Sequence, residues 1–411
     1  MKICVLGLGY IGLPTSLLLA QAGNDVLGVD PKNHIIEKLN NGELPFKEPG
    51  LDQLFEKAKK TFIASGSVQS SDVYIIAVPT PLENDMKLAD LNAVKNASIA
   101  ISNVIKEEQI VILESTVPPG TSEHFILPIL RKKGVKTIYY AHCPERAIPG
   151  KTLHEMVNND RIIGGLNKES VEKVKNLYAS FVKGNIFLTD TKTAEFVKLM
   201  ENTFRDINIA LANEFSLLAE EAGINIWEAI NLANKHPRVN ILKPGPGVGG
   251  HCIAIDPLFL AEKSNKARIV TLAREINSGM PVHVVKLVHE MIKDVKNPTI
   301  TLLGLAYKGN VDDIRESPTF KIKRIAENQG LSVKLYDPFV HRYPGNSSTI
   351  EEATKDSDCL ILITDHDIFK EIDPKKLPMR HKNLIDTRNI LDYDLWKKSG
   401  YHIKILGDGT S

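Results

Sequence analysis

Three sets of residues in this 411-residue chain have the types and spacing to do chemistry. The first is a cysteine in an irregular loop. Pro244-Gly-Pro-Gly-Val-Gly-Gly-His-Cys252 concentrates Gly and Pro where neither helix nor strand can form, so backbone amides can approach a ligand closely. A lone cysteine is usually a buried packing residue. Presented by such a loop, Cys252 is instead suited to attack an aldehyde carbonyl as a thiolate. His251 precedes it, but adjacent side chains diverge, so a Cys–His pair of the hydrolase kind is not expected.

The second set is Lys198, Asn202 and Arg205, spaced i, i+4, i+7 and therefore on one face of a helix. Such a stripe can be plain solvated surface. Here it runs between apolar Phe196, Leu199, Met200 and Phe204, where a partly desolvated lysine and an amide can polarise an oxygen, hold a water and move a proton. The third set is Gly7-x-Gly9-x-x-Gly12, which follows a β-rich run and opens a helix. These glycines permit a tight turn and bring a pyrophosphate to a helix N-terminus. The next strand ends at Asp30, at the distance expected for a carboxylate that accepts from a ribose 2′-hydroxyl and repels a 2′-phosphate. NAD is thus favoured over NADP.

The elements that must position these residues alternate. Through the first 165 residues short β-rich runs (Lys2–Leu6, Asp25–Val29, 73–78, 110–114 and 137–141) separate amphipathic helical stretches. That pattern implies a parallel sheet covered by helices, with ligands at the carboxyl ends of the strands. Thr191–Ala222 then reads as one helix without internal Gly or Pro, a candidate bridge and dimer interface, and a second helical block covers 267–295. The last 110 or so residues return to strand–helix alternation and repeat the beginning. Thr301-Leu-Leu-Gly-Leu-Ala-Tyr-Lys-Gly309 echoes Cys4-Val-Leu-Gly-Leu-Gly-Tyr-Ile-Gly12, and 357–364 echoes 71–78. Ala306 replaces the middle glycine, so this unit is expected to hold a sugar-nucleotide diphosphate rather than a dinucleotide.

Composition removes whole classes of function. Fifty-one Lys+Arg against fifty Asp+Glu leave a formal charge of +1, which argues against coating nucleic acid or an anionic membrane. No apolar run reaches the roughly 18 residues that span a bilayer. Gly7, Gly9, Gly12 and Pro14 interrupt the apolar N-terminus, so a signal peptide is not expected. Cys4, Cys143, Cys252 and Cys359 are widely spaced with no CxxC pair. Neither a metal site nor a disulfide framework is expected, and a reducing cytoplasm is the natural location.

Together the motifs carry a resemblance. Gly7-Leu-Gly-Tyr-Ile-Gly12, Val78-Pro-Thr-Pro81, Glu114-Ser-Thr-Val117, Cys143-Pro-Glu-Arg146, Lys198 with Asn202, Gly249-Gly-His-Cys252 with Asp256, and Gly304-Leu-Ala-Tyr-Lys308 with Asp313 and Arg315-Glu-Ser-Pro318 span nearly the whole chain. In these the chain resembles the UDP-glucose/GDP-mannose dehydrogenase family, which oxidises the C6 alcohol of a nucleotide sugar to a carboxylate with NAD. The resemblance implies two Rossmann-like parallel-sheet domains joined by a central helical domain with a long bridging helix, divided as 1–188, 189–295 and 296–411, in a homodimer or higher homo-oligomer. By position it implies Cys252 as nucleophile and Lys198 as acid/base, with Asn202, Asp256 and Glu145 also catalytic. It places Gly7, Gly9, Tyr10, Ile11, Gly12, Asp30, Thr80, Thr116 and Arg315 at NAD. It places Arg146, Ala147, Lys198, Asn202, Arg205, His236, Arg238, Gly249, Tyr307, Lys308 and Arg388 at the UDP-sugar.

Glucose-type members usually carry a lysine just before the aspartate that follows the cysteine; this chain has Ile255 there. The segment 236–242 resembles the branch that acts on UDP-N-acetylmannosamine, with UDP-N-acetylglucosamine and UDP-glucose as alternatives. Two other readings compete. A two-electron 3-hydroxyacid or 6-phosphogluconate-type dehydrogenase needs neither Cys252 nor the second α/β unit. A non-catalytic NAD or nucleotide-sugar sensor has no use for Lys198, Asn202, Cys252 and Asp256 together.

Overall fold

A computed structural model describes residues 1–83, 88–250, 252–262 and 264–409; His251 lies outside them. The chain forms two compact units, Met1–Glu201 and Asn202–Ser411.

The first unit is built on an eight-stranded sheet: β1 Lys2–Leu6, β2 Asp25–Val29, β3 Phe62–Ser65, β4 Val73–Ile76, β5 Ile110–Leu113, β6 Tyr139–His142, β7 Arg161–Gly165 and β8 Ile186–Asp190. Their spatial order is β3-β2-β1-β4-β5-β6-β7-β8, parallel throughout except where β6 meets β7. The first six strands follow the order of a dinucleotide-binding sheet, which reverses direction at β1/β4. Helices cover both faces, so successive side chains enter different cores. Along β1, Ile3 and Val5 join one apolar cluster while Cys4 and Leu6 join the other. This is why such strands read as continuous apolar runs rather than alternating ones.

Three strands fall outside the sequence expectation. β3 is four residues long with an exposed Ile63, β7 contains two glycines, and β8 is largely exposed, so none carries a strong apolar signal. The run expected at 73–78 leaves the sheet at Ile76. Pro79 and Pro81 follow, and proline cannot donate to a ladder. The run expected at 137–141 starts two residues later and takes in His142.

The second unit carries β9 Thr299–Leu303, β10 Ser332–Tyr336, β11 Cys359–Leu362, β12 Asn383–Asp386 and β13 His402–Ile405. All are parallel, in the order β10-β9-β11-β12-β13. One face packs Ile300, Leu302 and Ile361 against Val284 and Val288 of the helix Arg268–Met291. The other buries Leu303, Leu360, Leu362 and Trp396.

The helix Thr191–Ala222 has 32 residues. At 1.5 Å per residue it extends about 48 Å. Its residues up to 201 belong to the first unit and those from 202 to the second. Among the described residues no helix is long and apolar enough to cross a membrane.

Candidate active site

In the first unit the chain after β1 makes the turn its glycines allow. Gly7 has φ +97°, and its N–H donates to Val29 O at 2.8 Å. A Cβ on Gly12 would sit 1.8 Å from the Gly7 carbonyl oxygen, so the helix Gly12–Gln21 starts in direct contact with the turn. Gly9 has nothing within 4 Å of where its Cβ would be. Open space over Gly9, at a helix start whose preceding Ile11 provides no side-chain cap, fits a pyrophosphate. Asp30 is buried at the end of β2, where Oδ2 accepts from Leu8 N (3.0 Å) and Oδ1 from Lys32 N (2.9 Å). Each oxygen thus holds one backbone donor, and its second lone pair is available to a ribose hydroxyl. Thr80 is buried, Thr116 and Ile11 are half-buried, and Tyr10 is exposed with its ring 4.3 Å from that of Phe46.

Where β6 meets β7 there is a buried ionic cluster that local sequence patterns do not reveal. Arg161, on β7, donates from Nη2 to Glu145 Oε2 at 2.6 Å and from Nη1 to Cys143 Sγ at 3.7 Å, and lies 4.6 Å from the Tyr178 ring centroid. Glu145 Oε1 accepts from the N–H groups of Arg146 (2.7 Å) and Ala147 (2.9 Å). Burial works to raise the Glu145 pKa, but Arg161 and these two amides outweigh it and hold the carboxyl below its ordinary value. The ionised carboxylate is thus an anchor for the chain around it. It fixes the backbone at Arg146, whose Nη1 donates to Glu201 Oε1 at 2.8 Å. Glu114 accepts from Tyr178 Oη at 2.6 Å and Thr15 Oγ1 at 3.1 Å. Burial drives its pKa up to about 7 against the opposing charge of Arg161.

Lys198 is 8% exposed. One turn earlier on the same helix, the buried Glu195 accepts from Gly120 N (2.5 Å) and Ser122 N (2.8 Å), tying that helix to the loop that follows Thr116. His142 is fully buried at the end of β6; burial, with the Lys198 charge adding, pulls its pKa down to about 3 and keeps it neutral. Neither Glu195 nor His142 belongs to a spaced motif, so local sequence does not mark them.

In the second unit Cys252 is exposed, whereas Cys4, Cys143 and Cys359 are buried. Its carbonyl accepts from Ile255 N and Asp256 N, which starts the short helix Asp256–Ala261. The loop before it is seated on the repeat motif. A Cβ on Gly249 would lie 2.7 Å from Tyr307 Cβ, one on Gly250 would lie 2.9 Å from the Tyr307 ring, and Gly250 N donates to Arg315 O at 2.9 Å. The Gly-Gly pair is needed because only residues without Cβ let the loop approach this closely. Asn202 Nδ2 donates to Asp256 Oδ2 at 2.5 Å, so two of the expected catalytic residues are joined. Arg315 binds Asp313 through Nε (2.9 Å) and Nη2 (2.6 Å). Arg388 packs on Gly245 and reaches Asp365 at 3.4 Å. Arg205, His236, Arg238 and Lys308 are exposed cations or polar groups.

The repeat is real in three dimensions, and it differs where it matters. Gly304 has φ +98° and donates to Tyr336 O at 2.8 Å, as Gly7 does to Val29. Asp337 takes the place of Asp30. However, its Oδ2 accepts from Leu305 N (2.7 Å), Ala306 N (2.9 Å) and His366 Nε2 (3.0 Å), and its Oδ1 from Phe339 N. Asn310 N donates to His366 Nδ1, so Nε2 carries the proton and donates to the carboxylate. An oxygen with three donors has no lone pair left for a ribose. The two units thus differ at Oδ2, which in Asp337 is spent on setting the loop and in Asp30 keeps a lone pair for a dinucleotide, while Oδ1 accepts one backbone N–H in both.

Comparison with known proteins agrees with both halves. Residues 1–182 match the NAD binding domain of the UDP-glucose/GDP-mannose dehydrogenase family, 192–279 its central domain and 301–393 its UDP binding domain. A UDP-N-acetyl-D-mannosamine dehydrogenase from Methanococcus maripaludis is 49% identical over 100% of this chain and 97% of its own length. The chain belongs to this family. As a UDP-glucose/GDP-mannose dehydrogenase family member it is an NAD-dependent nucleotide-sugar dehydrogenase, and its oxidoreductase activity separates it from the sensor reading. The solved structure of UDP-N-acetylmannosamine dehydrogenase from Pyrococcus horikoshii superposes with a TM-score of 0.93 at 41% identity, covering 100% of both chains. An NDP-N-acetyl-D-galactosaminuronic acid dehydrogenase from Ralstonia nicotianae is 41% identical over 94% of this chain and 96% of its own.

Proposed function

We propose that this chain oxidises the C6 alcohol of UDP-N-acetyl-D-mannosamine to the uronate, in two successive oxidations with Cys252 as a covalent nucleophile. The M. maripaludis relative, whose name carries that activity at 49% identity along the whole chain, supports the substrate. One observation chiefly supports the mechanism: Cys252 is exposed on a glycine loop seated on Tyr307 and Arg315, while the other cysteines are buried.

NAD, held by the loop 7–12 and Asp30, supplies the acceptor for the hydride that leaves C6 in each oxidation. Lys198, or a water held by Asp256, removes the hydroxyl proton as the alcohol becomes an aldehyde. The Cys252 thiolate then adds to the aldehyde carbon, forming a C–S bond and a thiohemiacetal oxyanion. Lys198 and the remaining N–H of Asn202 stabilise that oxyanion. Loss of the second hydride leaves a thioester on Cys252. Water, giving its proton to Asp256, attacks the thioester carbon; the C–S bond breaks and the thiolate returns. One water is consumed and two NADH form per carboxylate. Glu145 positions Arg146 and, with Asp256, is assigned to the water that hydrolyses the thioester, and Thr80, Thr116 and Arg315 complete the NAD side. Arg146, Ala147, Arg205, His236, Arg238, Gly249, Tyr307, Lys308 and Arg388 are assigned to the nucleotide sugar, with the cations facing its diphosphate.

The three-part division 1–188, 189–295 and 296–411 belongs to the same reading, as does a cytoplasmic location near the nucleotide-sugar pool. So does a homodimer. Phe196, Met200, Phe204, Leu211 and Leu218 are exposed along one side of the long helix, which supports pairing with a second copy. The deciding experiment measures NADH and acid produced from UDP-N-acetylmannosamine, UDP-N-acetylglucosamine and UDP-glucose. Two NADH per sugar from the first alone is expected. Two from another sugar would overturn the substrate, and acid formation by Cys252→Ala at the normal rate would overturn the nucleophile.

A further inference from the structure

The stretch that presents Cys252 has two flanks, and each is held by an asparagine from the same helix. On the C-terminal flank, Asn202 Nδ2 donates to Asp256 Oδ2 at 2.5 Å. On the N-terminal flank, Gly245 N donates to Asn213 Oδ1 at 2.9 Å. Eleven residues separate the two asparagines, about three full turns, so both project from one face roughly 16 Å apart along the axis. Gly247, between Gly245 and the cysteine, adopts φ +130°, and a Cβ there would lie 3.3 Å from the Asn277 carbonyl oxygen.

Asn213 must turn its oxygen, not its nitrogen, toward Gly245, and a buried ion pair dictates that orientation. Arg274 Nη1 donates to Asp206 Oδ1 at 2.5 Å. Asn277 Nδ2 donates to the same oxygen at 2.8 Å and to Asp206 O at 3.0 Å. With its nitrogen committed, Asn277 offers only Oδ1, which accepts from Asn213 Nδ2 at 2.8 Å. Asn213 Oδ1 is thereby left facing the Gly245 N–H. An isolated amide can bond either way round; the carboxylate at the far end of this chain removes the choice. Asp206 and Asn213 are fully buried, Asn277 is 1% and Arg274 9% exposed, so water does not substitute for any link.

We propose that Asn213, oriented by Asn277 and the Asp206–Arg274 pair, is a positioning residue for the nucleophile loop, the counterpart of Asn202 on the other flank. The inference rests on the reading of Cys252 as nucleophile. Its chemical consequence is selective. The first oxidation does not use the thiol, whereas capture of the aldehyde requires the sulfur in place before the aldehyde is lost to solvent. A displacement of about 1 Å from an ordered attack geometry costs on the order of a hundredfold.

The test is Asn213→Ala, assayed with whichever UDP-sugar yields two NADH and with hydroxylamine as an aldehyde trap. At saturating sugar the first oxidation should stay within about threefold of the wild type. Acid formation should slow by roughly ten- to a hundredfold, with oxime accumulating in its place. Acid formation within twofold of wild type without oxime overturns the proposal, and so does an equal slowing of both oxidations, which a general loss of structure would give. Should the variant not fold, amide exchange in the wild-type protein decides. Protection of Gly245 N–H at the level of the long helix supports the anchor, and exchange at open-loop rates overturns it. Cys252→Ala is run alongside. Normal acid formation there defeats the nucleophile reading itself, whereas an inactive Cys252→Ala beside an unaffected Asn213→Ala defeats only the anchor.

Discussion

Glu114 makes this protein less stable as pH rises through neutrality, and Glu114→Gln should remove that dependence. The carboxyl is fully buried, accepts from Tyr178 and Thr15, and has its pKa pushed up from 4.5 to about 7, first by burial, with Arg161 opposing. A buried acid with a raised pKa keeps its proton in the folded state after the unfolded chain has lost it. Between these two pKa values the unfolded state binds fewer protons, so stability falls with pH; below 4.5 both states are protonated and the effect vanishes. Integrating from about pH 5.5 to pH 8 gives a loss of about 2 kcal/mol from this group. In a unit of about 200 residues that is a fall in Tm of about 4–8 °C. Glutamine keeps an acceptor for one hydroxyl, and the other can rotate to accept from the new NH2, so the pocket stays filled. Arg161 retains Glu145. Calorimetry of wild type and Glu114→Gln at both pH values should show the variant gaining about 2 kcal/mol relative to wild type at the higher pH. A wild-type-minus-variant difference that does not change with pH would refute the assignment of Glu114 as a neutral buried acid.

Gly12→Ala would put a Cβ 1.8 Å from the Gly7 carbonyl oxygen, so the turn must open; the KM for NAD should rise at least about tenfold, about 1.4 kcal/mol, with UDP-sugar affinity by calorimetric titration unchanged. Asp30→Asn removes the negative charge at the end of β2, and the ratio of kcat/KM for NAD over NADP should fall by about tenfold or more; an unchanged ratio means that Asp30 serves only Leu8 and Lys32. Phe204 is 67% exposed, and Phe204→Glu should convert the proposed homodimer to a monomer in light scattering. A dimer that persists places the interface elsewhere.

Much of the local conformation around the candidate residues was legible in the sequence because it is written in local spacing. Gly7, Gly9 and Gly12 define a turn whatever surrounds them, and a stretch crowded with Gly and Pro before Cys252 cannot become regular structure. Lys198 and Asn202 share a helix face by periodicity alone, and the repeat of 4–12 at 301–309 announced a second sheet. What sequence could not determine were the groups whose partners are distant along the chain. Arg161 meets Glu145 because β7 runs antiparallel beside β6, and Asn213 meets Asn277 because two helices pack. Asp337 matches Asp30 in position, yet only the tertiary structure shows His366, 29 residues later, filling the lone pair that Asp30 keeps available. The physical reason is the same in each case. Backbone conformation follows from residue type within a few positions, whereas a buried charge takes its protonation state and its role from whatever the fold packs against it.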